Sequence, residues 1–381
     1  MFELKTPPVG FFAIIEEMKK SKQSLNLHSP KVPVVPPADN NQDAVVETPP
    51  NKRRWQTISL IILLALVLVG TIILCLVWWP VKQSGKNEPT TVISKVESVK
   101  IVAVGDISCD PSDPKRNATD PARCQDVRVA ELVKSLEPAK ILLLGDIQYS
   151  NGTTEAFNNT FNTNWGQLKS KFIPTPGNHE YGTKNAYGYF SYMNDGGTNG
   201  IAGESNLGYY STEINGWSVY SLNSNCPDTN DCSLGSKQIQ WLNSQLSTDN
   251  NICQLALWHH PQFSSGKHSI EPSQTNRLPE AWKVLQNKKA DVVLNAHDHS
   301  YERFDKQLLD GQKSEEGIQA FVVGSGGYSH YERVANRANS AFFNNTDFGV
   351  LELELFKGSY SWKFININGQ VLDSGSQRCS N

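Results

Sequence analysis

Five short segments of this chain each place metal-ligating side chains directly after a hydrophobic run. They read GDISCD from Gly105, GDIQY from Gly145, GNHE from Gly177, WHHP from Trp258 and NAHDH from Asn295. Together they offer carboxylates, an amide, a phenol and several imidazoles. Hard oxygen donors mixed with imidazoles suit two first-row metal ions held close together. One such segment arises easily by chance. Five in fixed order, each behind an apolar run, predict a binuclear metallohydrolase.

The elements that must position these groups are legible in the same runs. Strands are expected at Lys100–Val104, Lys140–Leu144, Phe172–Thr175, Trp217–Asn223, Cys253–Trp258, Asp291–Asn295, Gln319–Val323, Val350–Phe356 and Ser361–Ile367. Several are continuously apolar, as strands buried on both faces are. Val129, Leu132, Val133 and Leu136 keep one helix face. Ile239, Leu242 and Leu246 approximate another, after the turn signal Gly235-Ser236. Alternation of strand and helix in the first half predicts parallel β-α-β units. The stretch from Phe348 reads as antiparallel hairpins, with Asn368-Gly369 as a turn. The expected fold class is α/β (α+β), two packed mixed β-sheets flanked by helices. Open α/β sheets carry their sites at the ends of parallel strands. Asp106, Asp146, Asn178, His259 and His297 all stand just past a predicted strand.

The 381 residues carry a formal net charge of −3, which gives no reason to expect nucleic acid as a required partner. Ile58–Trp79 is apolar and uncharged over roughly the 20 residues that span a bilayer. Trp55, Trp78 and Trp79 stand at its ends, and Lys52, Arg53 and Arg54 precede it. The positive-inside rule then places the N-terminus in the cytoplasm and the C-terminal part outside, extracellular or periplasmic. A long polar leader and the lack of a small-residue cleavage site favour a single-pass anchor over a cleaved signal peptide. The expected organisation is a Pro-rich, disordered cytoplasmic tail over 1–54, a transmembrane helix over 55–79 and a polar linker over 80–98. One catalytic domain follows over 99–381. Cys109, Cys124, Cys226, Cys232, Cys253 and Cys379 all lie beyond the anchor, an even number compatible with disulfides in an oxidising compartment. Cys109 with Cys124 and Cys226 with Cys232 would close short loops, and Cys253 competes for either partner.

Each candidate has a plainer reading. Asp106 and Asp146 are also the residue type that caps a helix after a strand. Tyr149 could be a packed aromatic. His260 and Asp298 neighbour candidate ligands and could orient them or line the pocket. His268 could be a solvated loop residue. His330 has no assigned mechanism.

The five blocks resemble the calcineurin-like metallophosphoesterases and, within them, the purple acid phosphatases, over about Val99 to Tyr328. Tyr301-Glu302-Arg303 continues the last block in the same manner. The resemblance implies an α-β-β-α sandwich. It implies that Asp106, Tyr149 and His299 hold one ion, an Fe(III). Asn178, His259 and His297 would hold a divalent ion (Fe, Zn or Mn), and Asp146 would bridge the two. His179 would contact the phosphate and His268 would protonate the leaving group. The implied activity is hydrolysis of phosphomonoesters by a metal-activated hydroxide. A phosphodiesterase or nuclease on the same metals, or a non-catalytic metal-dependent surface binding protein, are the alternatives. One departure stands out: position 296 is Ala where the family block has Gly, and Ala is costly wherever positive φ is required.

Overall fold

The computed structural model describes residues 97–114, 122–271 and 273–380. The expected tail and anchor, and most of the expected linker, lie outside them. Among the described residues no helix is long and apolar enough to cross a membrane.

Continuous apolar runs make strands that need cover on both faces, and the fold supplies it. Among the described residues fifteen strands form in chain order. They are β1 Val99–Val104, β2 Lys140–Leu144, β3 Phe172–Thr175, β4 Asn199–Gly200, β5 Gly203–Glu204, β6 Tyr210–Ile214, β7 Trp217–Ser221 and β8 Cys253–Leu257. There follow β9 Val292–Asn295, β10 Tyr301–Phe304, β11 Gln319–Val323, β12 Ser340–Asn344, β13 Gly349–Phe356, β14 Ser359–Asn366 and β15 Val371–Arg378. The main helices are α1 Asp126–Leu136, α2 Tyr187–Met193, α3 Lys237–Thr248 and α4 Pro279–Asn287.

One sheet runs β15-β14-β13-β1-β2-β3, and a second runs β12-β10-β11-β9-β8-β7-β6. The pairs among β1, β2 and β3 are parallel, and so are those along β7, β8, β9 and β11. The outer pairs, including the C-terminal hairpins, are antiparallel. Along β1 the period of two sends Ile101 and Ala103 into the core between the sheets, with Leu255, Leu257 and Leu294 from the other sheet. Val102 and Val104 face the opposite way, against Val129 and Val133 of α1 and Phe190 of α2. On the far side of the second sheet, Ala256 and Val293 meet Ile239 and Leu242 of α3 and Trp282 and Leu285 of α4. Two packed mixed sheets with helices on both outer faces are therefore present, as expected.

Several elements went unforeseen. β10 forms within the last motif block, because Tyr301 and Phe304 must be buried while Arg303 reaches Asp373 at the sheet edge. β6 and β12 are edge strands with little buried surface, which lack the long apolar run that marks a central strand, whereas β15 closes the hairpin expected at Asn368-Gly369. β7 and β8 each end before the predicted limit, at Ser221 and Leu257, since the following residues turn into the site.

Disulfides join Cys109 to Cys124, Cys226 to Cys232 and Cys253 to Cys379. Cys253 thus takes neither short-loop partner. It lies on β8 in the second sheet, whereas Cys379 follows β15 in the first, so this bond ties the two sheets across 126 residues of chain. Replacing both Cys253 and Cys379 by Ser should lower stability by about 2–5 kcal/mol, the usual cost of losing a native disulfide. Urea unfolding of the domain checks this, and a midpoint equal to that of the wild type would contradict the assigned clamp.

Candidate functional site

Five turns leave the adjoining ends of β1, β2, β3, β8 and β9 and meet. The first two zip together: the N–H groups of Asp106, Ile107 and Ser108 donate to the carbonyls of Gly145, Asp146 and Ile147 at 2.9–3.2 Å. Asp106, Asp146 and His297 have φ of 59°, 47° and 71°, the left-handed region that non-glycine residues rarely adopt. Neither aspartate precedes a helix, so the capping alternative is excluded. Strain of this kind gathers where side chains must be aimed at a common point. Glycines permit the crowding: a Cβ on Gly177 would lie 2.2 Å from Asp146 Oδ1. The Ala in the last block has a simple explanation. The positive φ falls on His297 and not on Ala296, whose methyl fills the space that a Cβ on Gly105 would occupy, 2.5 Å away.

The side chains converge. The Tyr149 hydroxyl donates to Asp106 Oδ1 at 2.8 Å and lies 3.3 Å from Asp146 Oδ2 and 3.1 Å from His299 Nε2. Asp146 Oδ2 is 3.2 Å from His259 Nε2, which is 3.1 Å from His297 Nδ1. Tyr149 is 1% exposed, so it is packed and it also presents its oxygen to the cluster. Two backbone anchors fix the aim: Asp106 Oδ2 accepts the His297 N–H at 2.8 Å and Asp146 Oδ1 accepts the His179 N–H at 2.9 Å. His259 donates Nδ1–H to the Leu144 carbonyl at 2.9 Å, which leaves an Nε2 lone pair facing the cluster. His299 Nδ1 lies 2.9 Å from Ser329 Oγ, leaving Nε2 inward. Fixing one ring nitrogen so that the other can ligate is the usual second-shell arrangement of metal sites.

Burial alone would raise the Asp146 carboxyl, but His259 and His179 take it well below the ordinary range. Burial opposes protonation of His259, yet Asp146 raises it to about 9. Burial, then the Asp106 and Asp146 charges, push the Tyr149 phenol well above its ordinary value. A phenol so placed ionises only when a cation sits among these oxygens. Asn178 Oδ1 and His297 Nε2 are buried without a hydrogen-bond partner. Orphaned buried acceptors of this kind fit metal ions well, and Asp106, Asp146, Tyr149, Asn178, His259, His297 and His299 are the residues that could hold them.

The remaining candidates are placed as follows. His179 has its ring 4.3 Å from that of Tyr149 and Nε2 3.8 Å from Asp146 Oδ2, and its side chain is 34% exposed at the rim. His268 is no free loop residue: its ring stacks on His297 at 4.4 Å, with Nδ1 3.6 Å from Glu271. Asp298 points away from the carboxylates and holds the loop of His268, accepting its N–H at 2.8 Å and the Ser264 hydroxyl. His260 lies behind His297 at 4.4 Å, bound to Ser224 Oγ through Nδ1 at 2.8 Å. His330 packs on Phe348 at 3.9 Å.

Glu180 was missed as a functional residue, although it closes the GNHE block. It is fully buried. Its Oε2 accepts the N–H groups of Asp146 and Gly177 at 2.9 and 2.7 Å, and its Oε1 those of Ile147 and Gln148 at 2.9 and 3.2 Å. One carboxylate thereby ties the turn of Asp146 to the turn of Asn178. An acidic side chain four residues into a glycine turn, with no basic partner in the motif, was the available signal. Glu180→Gln should turn an amide –NH2 against two of these buried donors, at about 1–3 kcal/mol each. The expected result is a lower urea midpoint together with reduced metal retention. Unchanged values of both would show that the carboxylate has no such role.

Known proteins bear on this arrangement. The calcineurin-like phosphoesterase profile matches residues 99–301. A nucleotide pyrophosphatase/phosphodiesterase from Hordeum vulgare is 25% identical over 280 residues, 64% of this chain and 73% of the barley protein. A probable cyclic nucleotide phosphodiesterase from Psychrobacter is 26% identical over 168 residues, 43% of this chain and 42% of its own length. Among solved structures, a purple acid phosphatase from yellow lupin (Lupinus luteus) seeds superposes with TM-score 0.61 at 19% identity, over 74% of this chain and 54% of the lupin chain. GAP50, the anchor in the inner membrane complex of Plasmodium, superposes with TM-score 0.53 at 14% identity, over 74% of this chain and 90% of its own. The strand-end carboxylates, amide and imidazoles thus stand on the shared fold, and the chain belongs to the calcineurin-like phosphoesterase family.

Proposed function

We propose that the domain is a binuclear-metal phosphatase of the purple acid phosphatase type, acting on phosphomonoesters. The observation that carries this reading is the convergence of Tyr149, Asp106, Asp146 and His299 within 2.8–3.4 Å, beside the imidazole pair His259 and His297. In the proposal Asp106, Tyr149 and His299 hold the first ion, Fe(III). Asn178, His259 and His297 hold a divalent ion, and Asp146 contacts both. A phenolate with carboxylates favours a hard trivalent ion, and imidazoles with an amide suit a divalent one. When bound, the two ions would supply charge neutralisation and activation of water as the nucleophile.

The chain's own residues do the rest. His179, at the rim beside Asp146, donates to a phosphate oxygen and stabilises charge as it develops there. His268 stands over His297 with Glu271 beside it, placed to give a proton to the departing alkoxide oxygen. Asp298 keeps that loop in place, and Glu180 keeps Asp146 and Asn178 in mutual register. A second reading, phosphodiester or pyrophosphate hydrolysis at the same centre, is supported by the names of the barley and Psychrobacter relatives. Initial rates on paired mono- and diester substrates separate the two.

The proposal extends to location: a single-pass anchor at Ile58–Trp79, the tail inside and the catalytic domain outside. The basic cluster Lys52-Arg53-Arg54 supports it, and so do three disulfides, which persist in oxidising compartments. Protease added to intact cells should release the catalytic domain; its protection, with loss of the tail, would reverse the orientation.

The metal assignment has a direct optical test. If Tyr149 ligates Fe(III), the oxidised protein is pink to purple, and Tyr149→Phe loses the band with little change in fold. Asp146→Asn should weaken both ions, by at least the roughly 10–100-fold that second-shell changes cost in metal sites. Asn178→Ala should weaken chiefly the divalent one. A colourless, active wild type holding only divalent ions would reject the iron assignment and leave the phosphoesterase reading in place.

A further inference from the structure

The segment after β11 touches all three candidate ligands of the first ion. The Tyr328 N–H donates to the Asp106 carbonyl at 3.1 Å, and the Tyr331 N–H to the His299 carbonyl at 3.1 Å. The Tyr328 ring lies flat on that of Tyr149, with centroids 3.6 Å apart and planes 2° from parallel. The Tyr331 ring lies on the His299 imidazole at 3.8 Å and 11°. Between the two tyrosines, Ser329 Oγ meets His299 Nδ1 at 2.9 Å. Each tyrosine also carries a cation over its ring: the Arg123 guanidinium at 4.6 Å from Tyr328, and the Lys267 ammonium at 4.7 Å from Tyr331.

We propose that Tyr328, Ser329 and Tyr331 form a positioning strap dedicated to the first ion, with Arg123 and Lys267 pinning its two rings. The proposal rests on the binuclear reading above. A flat ring on Tyr149 and another on His299 restrict each ligand to one plane, so the phenol oxygen and the imidazole nitrogen stay aimed at the same point as Asp106 Oδ1. Ser329 fixes which nitrogen of His299 faces inward. The cations hold the outer ring faces at little entropic cost, since both are tethered nearby. Arg123 pairs with Asp113 and donates to the Tyr328 hydroxyl at 3.0 Å. Its neighbour Cys124 donates its N–H to the Tyr328 carbonyl at 3.1 Å and is disulfide-bonded to Cys109, in the first motif block. Lys267 precedes His268 on the loop held by Asp298. Of the second trio, His259 leans on the Leu144 carbonyl, and only His297 is reached from the strap, indirectly, through the His268 ring that meets Tyr331 at 5.3 Å.

The strap is tested in the full chain through metal content rather than turnover. The variants are Tyr328→Leu and Tyr331→Leu, singly and together, with Tyr328→Phe and Tyr331→Phe as ring-keeping controls. Ser329→Ala removes the tautomer contact and almost no packing. Each protein is loaded with Fe(III) and Zn(II), exposed to a chelator, and followed by elemental analysis for ions per chain. The Leu variants and Ser329→Ala should release one of two ions about 10–100-fold more readily while the other is retained as in the wild type, with the Phe controls close to wild type. Adding Asn178→Ala should then leave neither ion firmly held. Loss of both ions together, or of neither, would overturn the strap. If the Leu variants do not fold, Ser329→Ala decides alone, and parity with the wild type overturns the proposal. A wild type that binds fewer than two ions overturns the binuclear reading itself, and the strap with it.

Discussion

The site is organised by one electrostatic constraint. Lone-pair-bearing oxygens and nitrogens of Asp106, Asp146, Tyr149, His259, His297 and His299 are brought within about 3 Å of their neighbours in a place from which water is largely excluded. Tyr149 has a single proton to give and donates it to Asp106 Oδ1 at 2.8 Å, Asp146 Oδ2 faces His259 Nε2 at 3.2 Å, and Asn178 Oδ1 and His297 Nε2 are left without a partner. Buried acceptors of this kind are costly when unpaired. A compact positive charge resolves the conflict. The strained backbone at Asp106, Asp146 and His297, the glycine at position 177, and the four N–H groups gathered by Glu180 all serve to hold the conflict in place until that charge arrives. The two sheets supply rigid strand ends from which such turns can be aimed.

Much of this was legible in the order of residues. Apolar runs of four to six residues can only be central strands when turns follow directly, and the chemistry-bearing residues stand in those turns. That reasoning located Asp106, Asp146, Asn178, His259 and His297 without any knowledge of contacts. Tyr149 and His299 needed the resemblance to the known blocks, because one aromatic and one histidine past a strand have many other uses. The edge strands β6 and β12 were not legible: neither carries a long apolar run, and β12 pairs with β10 and not with a neighbour in sequence. The partner of Cys253 was hidden for the same reason, since 126 residues separate it from Cys379 and only the packing of one sheet on the other brings them together.

Residues that act through another residue were the hardest to foresee. Glu180 has no ligand chemistry of its own, and its function lies in four backbone N–H groups whose convergence depends on the turn geometry. Asp298 sits between two candidate ligands, yet its carboxylate turns outward to Ser264 and to the backbone of His268. Period and spacing tell which face a side chain shares, but in a turn they do not tell which way it points. The concern over Ala296 illustrates the same limit. The position that needs the left-handed conformation is the next one, and the methyl at 296 fits because Gly105 leaves room opposite it.

Fold and function separate at the rim of this site. The same α-β-β-α framework superposes on a purple acid phosphatase and on a protein described as a membrane-complex anchor, at 19% and 14% identity, so the framework alone does not specify catalysis. What separates the possibilities is the density of ligating groups at the strand ends, where this chain has a carboxylate, amide, phenol or imidazole at every position the family blocks use. Substrate choice is set farther out, by groups that touch the parts of the ester remote from phosphorus. At the rim of this centre stand His179 and His268, whose side chains are 34% and 16% exposed, and the loop that carries Lys267. That loop is fixed from below by Asp298 and Glu302, and Arg337 reaches it from the C-terminal side. The structure therefore joins a buried cluster of carboxylates, phenol and imidazoles, held by strand ends, to a rim built from separate loops, so that the rim can vary without disturbing the cluster beneath it.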